Sequence, residues 1–538
     1  MNKAQAVSFL SIVLFAATAA LAPTLGIWAL PDPPRWLVLL LLAFAFVPLL
    51  VDRLLPENRV ILVRFPLLLI AVFSGLAAVL MWQFRQRLFL PAPNGNGDSH
   101  FLIEQIPVYA ELFGARLSFD EILALFVHSK FYLLCNKFGV GIIDSYAILS
   151  CGAGILYTAT ALFYLNRRPL LSWLAGASVL LLTPAISIFF GYVEHYDAVS
   201  LILFVVAVMC LHLMDKDVST PAWIAIGLLS ALGALFHMMG GLALFPLLYF
   251  VWFKTGNRHD FIRAALKAGI PAITFLAFAW IYFLLLADNR INLRESFFVK
   301  PPIYPLREFF SGKHIFDSIN LILLGMPFAG GALLYFLFHR EMFRTTISRP
   351  DVRFLLIGLA AFFTASLFIN PLLSFPSDWD LFTMFQVFGN LALAAIFAHI
   401  HSKENKLTAI ALCALIICST STVLWIHRNH STTPESELTV KRAIESSQGF
   451  LEQIKNDPVY AKTPPQRRKT SVQARLFLYG SERKLLNKPG HKELLAEVQE
   501  ESRRFDEFIL LPEAEYQKAY ATVWPRLTDL NRRLESIE

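Results

Sequence analysis

Four polar segments interrupt an otherwise apolar chain, and each carries side chains able to do chemistry. Asn94-Gly95-Asn96-Gly97-Asp98-Ser99-His100 joins a carboxylate and an imidazole to two glycines that allow a tight turn beside a ligand. Gly191-Tyr192-Val193-Glu194-His195-Tyr196-Asp197 holds two acids, a histidine and two tyrosines. The segment from Asn370 to Phe382 sets Asp378 and Asp380 on either side of Trp379. The stretch from Asp288 to Asp317 carries Arg290, Arg294, Lys300, Arg307, Lys313 and His314. An acid can act as general base for a hydroxyl or hold a divalent metal. Arginine and lysine match phosphate oxygens and stabilise a departing phosphate. Together these are the parts of a group transfer from a phosphate-linked donor. Each segment also has a plainer reading. These are a solvated turn ending in a helix cap, a connector between spans, an interfacial Trp anchor with capping aspartates, and a basic loop resting on anionic head groups.

The surrounding chain decides where such chemistry can take place. Of its 538 residues, 56% are hydrophobic and only 16% are charged, with a mean hydropathy of +0.55. Soluble domains carry about 25% charged residues, so this composition excludes a soluble enzyme and a disordered chain alike. The first 430 residues hold 52 charged side chains and the last 108 hold 35. Residues 1–430 therefore read as a polytopic membrane domain and 431–538 as a small soluble tail. The net charge of +7 lies almost wholly in the membrane part, in short Arg/Lys loops, and is not a nucleic-acid signal. Cys135, Cys151, Cys210, Cys413 and Cys418 all lie in apolar segments, which implies neither a disulfide framework nor a zinc site.

A bilayer core of about 30 Å needs about 20 apolar residues per helix. Apolar stretches near 7–29, 36–51, 61–83, 143–165, 170–190, 197–214, 221–236, 239–253, 268–287, 316–338, 354–370, 381–400 and 407–426 predict roughly 13 transmembrane helices. The break His237-Met238-Met239-Gly240-Gly241 leaves the 221–236 and 239–253 pair the least defined. With the N-terminus inside, five inner loops carry Arg53/Arg59/Arg64, Arg167/Arg168, Lys254/Arg258/Arg263/Lys267, Arg340/Arg344/Arg349/Arg353 and Lys403/Lys406. The loop Met214–Asp217 has a single Lys. The first span fits a signal anchor better than a cleaved signal peptide, because its apolar run is long.

The outer side then receives 84–142, 191–197, 288–315, 371–380 and the tail. Within 84–142, an amphipathic stretch at 101–113, interrupted at Pro107, and a second at 118–134 predict two interfacial helices. Ser118-Phe119-Asp120-Glu121 reads as the start of the second, with an N-cap and acids in the first turn. In the tail, Pro/Thr-rich breaks at 431–434 and 463–465 separate helical patterns. Phe508-Ile509-Leu510-Leu511 reads as a strand, so the tail is expected to be α or α/β. Glu194 and Asp197, three apart, would share a face if helical.

All three acidic segments and the basic loop fall on one side, although topology was assigned from Arg and Lys alone. Span centres are nearly free of charge, whereas an ion-coupled transporter keeps ionisable groups near the midplane. A sugar linked to a lipid phosphate fits, because its lipid stays in the bilayer while its head reaches the interface.

The segments Gly191–Glu194 and Asp378–Phe382, with the outer loop and its two helices, resemble the GT-C superfamily of integral-membrane glycosyltransferases. The likeness is to a bacterial branch and spans about residues 60–400. It implies an all-α GT-C-like membrane fold and a polyprenyl-phosphate-linked sugar donor. It further implies transfer to a glycan, lipid or protein acceptor on the outer face of a bacterial inner membrane, with no nucleic-acid partner. Family members carry an acid in the first large outer loop, which Asp98 matches once two extra N-terminal spans are allowed. On this reading Asp98, Glu194 and His195 are catalytic, and His100, Asp197, Asp378 and Asp380 contact substrate. Arg290, Arg294 and Lys300 hold the lipid phosphate. No cofactor is certain, and a divalent metal (Mg or Mn) stays an open option. The alternatives are a transporter or flippase of a lipid-linked saccharide and a non-catalytic assembly protein.

Overall fold

The computed structural model describes residues 3–30, 33–49, 62–64, 66–88, 99–118, 120–286, 303–370, 378–382, 384–403, 407–486 and 491–535. Asp98, Arg290, Arg294 and Lys300 lie outside them. The described chain is helical throughout, with two isolated β-bridges, Leu62 to Pro169 and Ile303 to Ile369, and no strand among the described residues. This is the only way an apolar chain can satisfy its own backbone in lipid without closing a barrel.

Among the described residues, eight helices are long and apolar enough to cross a membrane. They are Lys3–Leu25, Leu67–Phe84, Ile142–Leu165, Tyr196–Leu213, Met238–Thr255, Arg258–Leu285, Pro350–Phe368 and Thr408–Arg428. A ninth is reached if Gly312–Gly325 and Ala329–Phe338, bent by 93°, count as one span. Five further apolar helices, among them Leu170–Leu181 and Thr220–Phe236, have 10–17 residues and fall short of a straight crossing. The apolar pattern of thirteen stretches therefore counts helices more securely than crossings. Arg258–Leu285 and Leu67–Phe84 bury only 6% and 17% of their apolar windows inside the protein, so their side chains face lipid. The window of Thr408–Arg428 is 61% buried and sits in the centre.

The crossings separate two ends. Residues 62–63 lie beside 167–169, with Val63 N–H donating to Arg168 O and Arg167 N–H to Val63 O. Lys254 Nζ donates to Met214 O, and Arg349 contacts both Asp351 and His399. These are loops that the Arg/Lys distribution assigns to one side, including the sparsely charged Met214–Asp217. The helices Ile142–Leu165 and Tyr196–Leu213 run from this end to the other, where the acidic segments gather.

The two expected outer helices are present as Ser99–Phe113 and Ile122–Asn136. The first runs through Pro107 instead of breaking there. Pro107 is buried with Leu102, Ile103, Ile106, Val108 and Ala110, and this packing outweighs the lost hydrogen bond.

The chain beyond the last span explains that burial. Helix Leu407–Lys455 continues without interruption across 431–434 and the anticipated boundary at residue 430. Its far half packs on Ser99–Phe113. Ala443 joins Leu102, Ile103 and Ile106 in one cluster, and Phe450, Leu451 and Ile454 join Val108 in another. Ser446 Oγ donates to Glu104 at 2.5 Å and Lys455 pairs with Glu111 at 2.8 Å. The described tail is helical, with Pro465–Leu486, Lys492–Ile509 and Glu513–Glu535 around a core of Leu478, Val498, Phe505, Phe508 and Tyr516. Phe508 and Ile509, expected in a strand, end a helix instead, because their apolar run is the last turn of an amphipathic face.

Ile106, fully buried between the outer helix and the tail side, gives a direct test. Ile106→Ala should cost about 2–5 kcal/mol, read as a lower unfolding midpoint in detergent. Truncation after residue 430 should leave the 99–113 segment sensitive to limited proteolysis, whereas the full-length protein resists.

Candidate active site

Acidic and aromatic groups of the segments expected outside converge on the start of the Ile122–Asn136 helix. Glu121 occupies its N-cap position, at φ −136° and ψ 34°, and its side chain makes no capping hydrogen bond. The Ser118 hydroxyl donates to Asp120 at 2.6 Å instead of capping the helix. The segment Ser118–Glu121 thus starts a helix as its sequence predicts, but neither acid serves in the first turn. Glu121 is left to face inward.

Its carboxylate is shared by two histidines. His195 Nε2 lies 2.7 Å from Oε2, and His237 Nε2 lies 3.7 Å from Oε1, with the Tyr196 hydroxyl donating to Oε1 at 3.3 Å. The Glu121 side chain is 15% exposed and that of His195 3%. Burial pushes the Glu121 carboxyl upward, but His195, His237 and Arg116 together pull it down to about 2. Glu194 Oε2 is 3.9 Å from the same His195 nitrogen. The His128 ring, 6.0 Å from His195, stacks on Tyr146 at 4.0 Å. A cavity of about 150 Å³ opens here, lined by Phe101, Leu102, Gln105, Arg116, Glu121 and His195. It offers an imidazole held by a carboxylate, a guanidinium, an amide and an apolar wall.

A carboxylate only accepts hydrogen bonds, so the Nε2 of His195 is the protonated nitrogen and Nδ1 of the neutral ring carries the lone pair. A Glu-held imidazole of this kind is suited to take a proton from an attacking hydroxyl.

The 378–382 stretch joins through aromatic contacts. Tyr192 meets Trp379 at 5.7 Å, Trp379 meets Trp425 at 5.4 Å, and Trp425 meets Trp28 at 6.4 Å. Trp28 Nε1–H donates to Asp317 at 3.1 Å. Asp380 and Ser99 are neighbours of the Tyr192 hydroxyl. The chain thus brings 99–105, 191–197 and 378–382 together, as their common side predicted. Glu194, His195, Asp197, Asp378 and Asp380 are all buried. His195 lines the cavity and Glu194 stands beside it, whereas His100 lies in the first turn of its helix with its ring against Phe101 at 3.9 Å. Glu194 and Asp197 do not share a helical face. The helix begins at Tyr196, so Glu194 lies in the preceding turn, and Asp197 turns back to accept from Ala198 N at 2.7 Å. Among the described residues, no group of three or more His, Cys, Asp or Glu is arranged to hold a metal ion.

Sequence reasoning missed Arg116, Glu121 and His237. The signals were present as two adjacent acids before a short apolar helix, and a histidine inside a Met-Met-Gly-Gly break between apolar stretches.

Neither a protein-family model nor a curated protein matches the chain. Among solved structures it is similar to ArnT from Cupriavidus metallidurans bound to undecaprenyl phosphate, at 14% identity and a TM-score of 0.42. It is likewise similar to the apo state of that protein, at 14% identity and 0.43. In both cases the match covers 85% of this chain and 76% of the other.

The depressed value of Glu121 has a defined consequence for stability. Its folded value of about 2 lies below the ordinary 4.5. The stabilisation it supplies is therefore fully present above 4.5 and is lost as pH falls toward 2. The difference in thermal midpoint between the wild type and Glu121→Gln should be constant near neutral pH and shrink below about 4.5. A difference that does not shrink as pH falls from 4.5 toward 2 would remove the stabilising role assigned to the Glu121 carboxylate.

Proposed function

We propose that this chain is a GT-C-like membrane glycosyltransferase that moves a sugar from a polyprenyl-phosphate-linked donor to an acceptor at the outer face of the membrane. The observation that carries this reading is the Glu121–His195 pair lining a cavity with Arg116, at the end where the three acidic segments meet. The motif resemblance of Gly191–Glu194 and Asp378–Phe382 points the same way.

In the proposed reaction an acceptor hydroxyl attacks the anomeric carbon of the sugar. The bond from that carbon to the phosphate oxygen breaks, and polyprenyl phosphate leaves with its electron pair. His195 takes the hydroxyl proton, and Glu121 stabilises the imidazolium that forms. Asp197, Asp378 and Asp380, with Glu194, shape the polar wall that meets sugar hydroxyls. Asp98 is proposed as a second acid at the reacting centre, and Arg290, Arg294 and Lys300 as the cations that hold the lipid phosphate. Charge stabilisation of the leaving phosphate is the natural use of those cations.

The test is transfer in proteoliposomes containing lipid-linked saccharides extracted from a deletion strain, whose accumulated precursors are identified by mass. His195→Gln should lower the turnover rate about 10²–10⁴-fold, the usual worth of a general base, with release of polyprenyl phosphate falling in parallel. Full activity in His195→Gln would remove the assignment of the base. Translocation of an intact lipid-linked saccharide without a new glycosidic bond would replace the transferase by a transporter.

A further inference from the structure

The break His237–Gly241 between Thr220–Phe236 and the helix Leu244–Thr255 has no part in the reaction as proposed above, yet it is tied to the site twice. Met238 N–H donates to Asp120 O at 2.9 Å. The His237 side chain reaches the Glu121 carboxylate of the adjoining residue. Gly240 holds the turn tight, since a Cβ there would meet the Gly233 carbonyl oxygen at 2.5 Å.

The protonation of His237 follows from its contacts. Its Nδ1 accepts from Met239 N–H at 3.1 Å, so in the neutral ring the proton is on Nε2. That Nε2–H faces Glu121 Oε1 at 3.7 Å, while Glu121 Oε2 faces His195 at 2.7 Å. One carboxylate therefore stands between two imidazoles, in close contact with His195 and in a longer contact with His237.

We propose that His237 is a positioning residue that fixes the Glu121 carboxylate and thereby sets the proton affinity of His195. It touches no substrate in this assignment and acts only through Glu121. The charged and titratable groups around this pairing include Asp120, Glu121, Arg116 and Tyr196 on the carboxylate side, and Glu194, Asp197, His128 and Tyr146 near His195. Of these, the Glu121 carboxylate faces both imidazoles, and the Tyr196 ring also contacts both, at 5.7 Å from His195 and 5.3 Å from His237. The inference deepens the transferase reading, but it is tested on a proton rather than on a product, so the two can fail separately.

Two substitutions separate positioning from a purely structural cap. In His237→Asn the shorter amide retains an acceptor near the place of Nδ1, so the turn keeps its cap but loses the group facing Glu121. In His237→Gln the longer amide retains a donor near the place of Nε2. Full-length protein with 13C-labelled histidines in detergent micelles reports each imidazole titration, and the resonance missing in His195→Gln identifies His195. His237→Asn should raise the His195 titration by about half a unit or more, because the whole carboxylate charge then serves one imidazole. His237→Gln should leave it near the wild-type value, and in a Glu121→Gln background His237→Asn should have no further effect. Equal shifts in the Asn and Gln variants, no shift in either, or a shift that persists without Glu121 would overturn the proposal. If His237→Asn does not fold, a displaced titration in His237→Gln alone is enough to reject it.

Discussion

A carboxylate largely withdrawn from water must be neutralised or paired, and Glu121 is paired with two imidazoles. That requirement organises the end of the molecule where the acidic groups gather. One histidine comes from the segment before the Tyr196–Leu213 helix and the other from the break after Thr220–Phe236. The carboxylate itself sits at the mouth of the Ile122–Asn136 helix. Three elements far apart in sequence are thereby held in one arrangement. The cavity beside them is a consequence, since Arg116 and His195 line it from elements that Glu121 joins.

The wall of that cavity is supplied by the helix Ser99–Phe113, whose opposite face belongs to the tail. Phe101, Leu102 and Gln105 look into the cavity, while Glu104, Val108 and Glu111 meet Ser446, Phe450 and Lys455. The tail therefore acts on the site through the packing of one amphipathic helix. Within the tail, Arg467 reaches the carbonyls of Ile509 and Leu511 and the Glu513 carboxylate, and stacks on Tyr516 at 4.0 Å. A buried guanidinium bonded in this way ties the later helices to Pro465–Leu486. Removing the tail would thus disturb an enzyme and a scaffold alike, and activity of a truncated chain does not distinguish them.

Much of the fold was legible because its signals are local. The runs 143–165 and 197–214 became Ile142–Leu165 and Tyr196–Leu213, since an unbroken apolar run in lipid has no alternative to helix. Misreadings came where tertiary packing overrides local preference. Pro107 was expected to interrupt a helix, and burial under the tail carries the helix through it. The Pro/Thr-rich stretch 431–434 was expected to end one, and the 49-residue helix spans it because ordered turns on both sides support the weak one. Glu121 looked like a capping acid because the sequence motif is identical whether the side chain turns to its own backbone or to a distant histidine.

The sequence by itself determined the membrane class, the helical backbone, the division of loops into two sides and the gathering of acids on one of them. These follow from hydropathy and charge, which act residue by residue. Only the tertiary structure decided which acid faces which histidine. Glu194 was legible as ionisable, but Glu121 holds His195 at 2.7 Å across 74 residues of sequence, and His237 completes the arrangement from a turn that reads as a mere break. Pairing of buried charges depends on which helix ends meet, and that is set by the packing of the whole bundle.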